Sequence, residues 1–248
     1  MESKINRYSK QLILINSFFI LAWLIISVFP FIWTFWGSFK VKADFFSRAD
    51  WMFAVTGVNT LIETGDTSTV KAYVESWTEG EFWKATMNTI IITVSVVTIS
   101  LFLGTLGAYA LSRSTYKYTF WILIAALIFR AMPHITLVSG YLFPFFQLNV
   151  WGILPTTIIV LVAINQPFTL WLLYSFFKTV PKELDESALI DGCSYFQAFR
   201  FVIMPVMWPG VVTAGLFSMM LAYNDFTVTS LLLNQQNYTM VPKINAYL

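Results

Sequence analysis

Four acidic side chains crowd one short stretch of this chain: Glu183, Asp185, Glu186 and Asp191, the last followed at once by Gly192. Adjacent carboxylates such as Asp185 and Glu186 can serve as general acid and base only inside a pocket that moves their pKa values apart. Here they follow Pro181, a residue suited to the first position of a helix. Carboxylates in a first helical turn complement the positive end of the helix dipole. The stretch therefore reads as a solvated or partner-facing helix start. A second set of polar residues, Asn88, Arg130, His134, Gln166, Asn224 and Asp225, stands in apolar surroundings. No nucleophile, base and acid occur together, so no catalytic set is expected. His134 is the one histidine and Cys193 the one cysteine, which leaves no metal-ligand cluster and no intramolecular disulfide. A Gly-x4-Gly-Lys-Ser/Thr phosphate loop is also missing, so this chain is not expected to hydrolyse ATP.

The elements that must position these residues are set by hydropathy. Of the 248 residues, 57% are hydrophobic and 11% charged, against about 25% charged in an ordinary soluble domain. Net charge is +2 and the basic residues are scattered, which argues against nucleic acid. No charge occurs between Lys10 and Lys40. That run is longer than a signal-peptide core and ends in bulky aromatics, so it reads as an uncleaved span. Crossing the hydrocarbon core takes about 20 apolar residues. Five candidate spans result, at 12–36, 86–110, 119–140, 154–177 and 208–233. They lack period-two alternation, and lipid demands internally satisfied backbones, so the expected fold is all-α, a polytopic helix bundle in one domain over 1–248.

Lysine and arginine fix the expected orientation. Lys4, Arg7 and Lys10, then Arg113 and Lys117, then Lys178, Lys182 and Arg200 fall in three segments that would share the cytoplasmic side. The N-terminus is then cytoplasmic, and 37–85 is an external loop. The segment 234–248 is polar and would lie outside.

The cytoplasmic loop 179–207 can be parsed by helix grammar. Gly192 offers a left-handed stop, and Ser194 with Gln197 forms a capping box for a second helix. Phe196, Phe199, Val202 and Ile203 share one face. Two short helices joined by a tight turn make a rigid protrusion that a partner's groove can grip, or a plain connection between spans.

Within the spans each polar residue has two readings. Arg130 is either a pathway-facing cation or one that snorkels or pairs in the bundle. His134, just after Pro133, either joins it at a kinked wall or is a satisfied structural histidine, the reading favoured. Asp225, beside Asn224, is a polar gate or, preferably, an inter-helix hydrogen bond that fixes packing. Asn88 caps or bridges helices. Gln166 precedes Pro167, which frees a carbonyl and either kinks the helix or opens a cavity there.

The loop resembles the Glu-Ala-Ala loop of ABC-importer permeases. Glu186-Ser187-Ala188, Gly192 and Val202-Ile203-Met204-Pro205 match its spacing, with Ser187 and Met204 as small departures. Three further stretches resemble the carbohydrate-uptake branch: Asn88-Thr89 leading to Ala108-Tyr109-Ala110-Leu111-Ser112-Arg113, Phe176-Phe177 leading to Pro181 and Leu184, and Tyr223-Asn224-Asp225-Phe226. The matches run from Lys10 to the C-terminus and look most like the second, shorter permease of maltose-type systems. The resemblance implies a permease subunit for a sugar, oligosaccharide or polyol in a bacterial or archaeal inner membrane. It implies partners: a second permease, two ATPase subunits that carry ATP and Mg, and an extracytoplasmic solute-binding protein. It makes Glu183, Glu186, Ser187, Ala188, Asp191, Gly192 and Pro205 the ATPase-coupling residues. Members usually have six spans, and the sixth is expected to be missing here. Alternatives stay open: a truncated or accessory membrane protein without transport, a permease for another solute, or a membrane-embedded enzyme.

Overall fold

The computed structural model describes residues 2–38 and 68–246. The described residues are almost wholly helical and contain no strand, as the hydropathy pattern predicts. They fall into two units, 1–80 and 81–248. Most of the expected external loop, with Asp44, Asp50, Glu63 and Asp66, lies outside the described residues.

In the first unit, α1 spans Glu2–Gly37 and α2 spans Ser68–Thr78. The apolar side chains of α1 from Leu12 to Phe35 are exposed almost throughout. A helix apolar all round is matched to lipid rather than to water.

In the second unit, α3 is Phe82–Arg113 and α4 is Thr119–Ala131. Helix α5 is His134–Gln147 and α6 is Leu154–Thr179. A short α7, Glu183–Ile190, leads to the long α8, Tyr195–Tyr223. Two short helices follow, α9 at Thr227–Leu232 and α10 at Met240–Asn245. Helices α3, α6 and α8 pack on one another, α4 packs on α6, and α9 packs on α5. One apolar cluster centres on Ile92, Val96, Leu161, Val228 and Leu232. Another, around Ala108, Leu173, Phe177, Phe199, Ile203 and Met207, joins α3, α6 and the start of α8. Close approach of α6 and α8 relies on Gly210, where a Cβ would come within 2.8 Å of the Phe176 ring. Small residues at such crossings let membrane helices approach closely.

Four helices are long and apolar enough to cross a membrane, and a fifth crossing is available if a bent pair counts as one. That pair corrects the sequence reading of a continuous span over 119–140. Helices α4 and α5 meet at 85° across Met132 and Pro133. Met132 is extended, with φ −68° and ψ 142°, because a residue preceding proline is pushed out of the α region. The last expected span also shifts. The helix begins at Tyr195, ends at Tyr223 and breaks before α9, so 208–233 is not one segment.

Candidate functional site: the 179–207 connection and the bend at Pro133

Helix α7 starts two residues after Pro181, with Lys182 as its N-cap residue, so the proline precedes the helix rather than opening it. Glu183, Asp185 and Glu186 occupy its first turn as expected. At its far end the Cys193 amide donates to the Ala188 carbonyl at 3.0 Å, and the Gly192 amide to Leu189 at 3.1 Å. This pair of bonds is a Schellman stop, which needs a residue with positive φ. Gly192 supplies φ +90°.

The capping box is present. Gln197 N donates to Ser194 Oγ at 3.3 Å, and Ser194 N donates to Gln197 Oε1 at 2.8 Å. The helix it starts is not a separate short one, which corrects the two-helix reading. It continues through a π-turn at Phe199–Ile203 into the membrane span. Pro205 and Pro209 lie within that helix, in the turns that follow the π-turn. The wider turn just upstream leaves fewer α-type bonds for a missing proline N–H to break, and such π insertions cluster at functional positions.

The two faces of α7 differ. Asp185 and Ala188 are buried, while Glu183, Glu186, Ser187 and Ile190 are exposed, as are Asp191 and Gly192 in the turn. Ile190 is 85% exposed, Tyr195 73% and Phe196 63%. An acidic helix face thus borders three unpartnered apolar side chains on a rigid turn.

Beneath the buried face lies a cluster whose connections sequence reasoning missed. Arg113, at the end of α3, places Nε 2.8 Å from Asp185 Oδ2. Its Nη1 donates to the carbonyls of Val180 at 3.0 Å and Phe177 at 3.3 Å. Tyr109 Oη, one turn earlier, donates to Asp185 Oδ1 at 2.5 Å. The Tyr109 ring lies 4.9 Å from that of Phe199 and 5.7 Å from that of Phe177. Tyr109 and Arg113 are four apart, hence on one helix face. That spacing is visible in the sequence; their pairing with a residue 76 and 72 positions further on is not.

Arg130 and His134 come together. They line a small cavity of about 40 Å³ at the α4–α5 bend, with Phe129, Leu137, Tyr141, Val160, Ala163, Ile164 and Pro167. The Arg130 guanidinium sits 5.1 Å from the Phe168 ring centre and donates to the Ile164 carbonyl at 3.4 Å. Among the described residues no carboxylate forms an ion pair with it. Gln166 is not in this lining; its Oε1 is buried without a partner. Asn88 does not bridge two helices; it ties α3 to the turn before α10, donating Nδ2 to the Asn237 carbonyl at 3.1 Å. Asn224 bonds within its own helix, to Met220 O. Asp225 does not bridge helices: its Oδ1 accepts from the amides of Val228 at 2.8 Å and Thr229 at 3.1 Å and so caps α9. The break after Tyr223 creates the free amides that this carboxylate satisfies.

A multi-pass helical membrane protein with a rigid turn between two of its spans is the class these features define. The chain belongs to the binding-protein-dependent transport system inner membrane component family, which it matches over residues 11–248. It is 28% identical over 240 residues to the diacetylchitobiose uptake system permease protein NgcG of Streptomyces coelicolor, covering 92% of this chain and 72% of that protein. It is 31% identical over 236 residues to the trehalose/maltose transport system permease protein MalG of Thermococcus litoralis, covering 94% and 79%. The sulfoquinovosyl glycerol transport system permease protein SmoH of Agrobacterium fabrum is 28% identical over 212 residues, covering 82% and 67%. In fold the chain matches the crystal structure of a bacterial ABC transporter involved in the import of the acidic polysaccharide alginate. The TM-score is 0.72 at 21% identity, with 93% of this chain and 77% of that chain covered.

Proposed function

We propose that the chain is the permease subunit of a binding-protein-dependent ABC importer for a sugar, oligosaccharide or polyol, and that 179–207 is its coupling loop. The exposed face of α7 carries this reading. Glu183, Glu186 and Ser187 stand outward beside Ile190, Tyr195 and Phe196, while the opposite face is anchored to the bundle. Exposed apolar side chains rimmed by polar ones mark an interaction surface. The partner is an ATPase subunit, which holds ATP and Mg. A second permease completes the pathway, two ATPases act below it, and an extracytoplasmic binding protein delivers solute. This sets the chain in a bacterial or archaeal inner membrane with 179–207 and the N-terminus inside, the side the basic residues favour. The relatives named above, which are permeases for diacetylchitobiose, for trehalose and maltose, and for sulfoquinovosyl glycerol, support this solute class.

The cavity at the α4–α5 bend is the pathway position on this subunit. Arg130 and His134 offer donors there to solute hydroxyls or to an acidic group, and Pro167 of α6 forms part of the wall. The remaining polar residues hold the frame: Asn88 ties α3 to the segment at 237, and Asp225 caps α9.

Co-purification tests the assignment. The chain, expressed with its partner permease, should retain the ATPase, and Glu186→Lys should release it while remaining in the membrane. Retention of the ATPase by Glu186→Lys at wild-type affinity would remove the outward face of α7 from the docking surface.

A further inference from the structure

Two adjacent carboxylates of α7 have opposite environments. Glu186 is exposed, whereas the Asp185 side chain is 12% exposed and paired with an Arg113 side chain that is 15% exposed. A shielded ion pair resists screening by salt and restrains geometry, because either partner alone would be left charged and poorly solvated. The pair does not stand alone. Arg113 also binds the last carbonyls of α6 through Phe177 and the following Val180. The Phe177 carbonyl also accepts from the Val180 amide at 3.2 Å, so the guanidinium reinforces the end of α6, where carbonyls run short of helical donors. Tyr109 adds a second bond to Asp185 and packs its ring on Phe177 and on Phe199, which opens the π-turn of α8. One cluster thus joins the end of α3, the end of α6, the inner face of α7 and the first turns of α8.

We propose that Asp185 is a positioning residue, clamped by Arg113 and Tyr109, that makes α7 one rigid body with the adjoining ends of α3 and α6 and so passes ATPase movement to those spans. This rests on the coupling-loop reading and assigns a separate task to each carboxylate: Glu186 meets the partner, and Asp185 transmits. Without the clamp, α7 would stay attached to the ATPase yet pivot on its two flanking turns, at Val180–Lys182 and Asp191–Ser194. The three side chains act as a unit, so their removals should not add.

The test uses the full chain assembled with its partner permease and ATPases in nanodiscs. Cys193→Ser removes the native thiol, and spin labels are placed at Leu189→Cys on α7 and Leu106→Cys on the exposed side of α3. The clamp predicts a narrow distance distribution that keeps its mean when ATP is added. Asp185→Asn should retain the ATPase but broaden the distribution at least twofold and let its mean move with ATP. Tyr109→Phe, which removes one hydroxyl and is the safer variant for folding, should broaden it less. The double variant should match Asp185→Asn alone. An unlabelled set should show ATP hydrolysis that no longer depends on the binding protein in Asp185→Asn, a change that a merely destabilised but intact loop would not give. If the wild-type distance already shifts with ATP, or if Asp185→Asn and Tyr109→Phe leave the distribution unchanged while the ATPase is bound, the clamp is refuted and the coupling-loop reading survives. If wild type itself retains no ATPase, both fall.

Discussion

Replacing Gly192 with alanine isolates the energy of one backbone angle. Its φ is +90°, and nothing lies within 4 Å of where a Cβ would stand. Steric clash with neighbours is therefore absent, and the whole cost is the left-handed conformation itself, about 1–2 kcal/mol for a residue with a Cβ. Two amide hydrogen bonds hold the turn, from Gly192 to Leu189 and from Cys193 to Ala188. Each contributes about 0.5–1.5 kcal/mol net. Strain and restraint are thus comparable, so the turn should open measurably more often rather than stay native or be lost. Hydrogen exchange of the peptide covering 188–194 reads this directly. Local opening should rise about 5–30-fold in Gly192→Ala, the factor that corresponds to one or two kcal/mol. Asparagine tolerates positive φ better than alanine, and valine worse, so the order should be Gly, Asn, Ala, Val. ATPase affinity should follow the same order, since only the closed turn presents Ile190 and Tyr195 together. Exchange in Gly192→Ala equal to wild type, or Asn no better than Ala, would refute the argument that φ rather than side-chain contact selects this glycine.

Two further outcomes follow from the packing. Gly210→Ala places a methyl about where the Phe176 ring now sits, and overpacking of this kind costs about 1–3 kcal/mol; a lower Tm of the assembled complex in detergent, partly restored by Phe176→Leu, is the expected result. Asp225→Ala should lose about 1 kcal/mol of capping and raise exchange in 227–232, whereas Asp225→Asn keeps the cap; equal exchange in both variants would show that charge, not capping, is what this position supplies.

The match between sequence and structure varies with the range of the interaction involved. Local grammar was sufficient at Gly192, Ser194 and Gln197, because a stop with positive φ and a capping box are closed by residues three to five apart. Hydropathy located α3, α6 and the apolar part of α1 within a few residues, since lipid requires the length and the satisfied backbone whatever the neighbours do; that α1 starts ten residues earlier, at Glu2, lies in its polar end. It failed at 119–140 and 208–233. Apolar composition does not reveal an 85° bend at Pro133 or a break after Tyr223, which depend on how the helices meet α6 and α5.

The polar residues divide in the same way. Arg130 and His134 are four apart in the sequence, yet their common cavity exists because side chains of α4, α5 and α6 converge at the bend. Asp225 was expected to bridge helices and instead caps the one that begins two residues later. The Arg113–Asp185 pair gives the clearest contrast. The types and positions of Tyr109, Arg113 and Asp185 are plain in the chain, and all three fall within motifs read there. What brings them together is packing of the end of α3 against the α6–α7 connection, with Phe177 and Phe199 around the Tyr109 ring. The sequence by itself determined a multi-pass helical membrane protein with an acidic turn between two spans, because hydrophobicity, capping and φ are local properties. Tertiary structure alone decided which carboxylate of that turn faces inward, because burial and ion pairing depend on residues far apart along the chain.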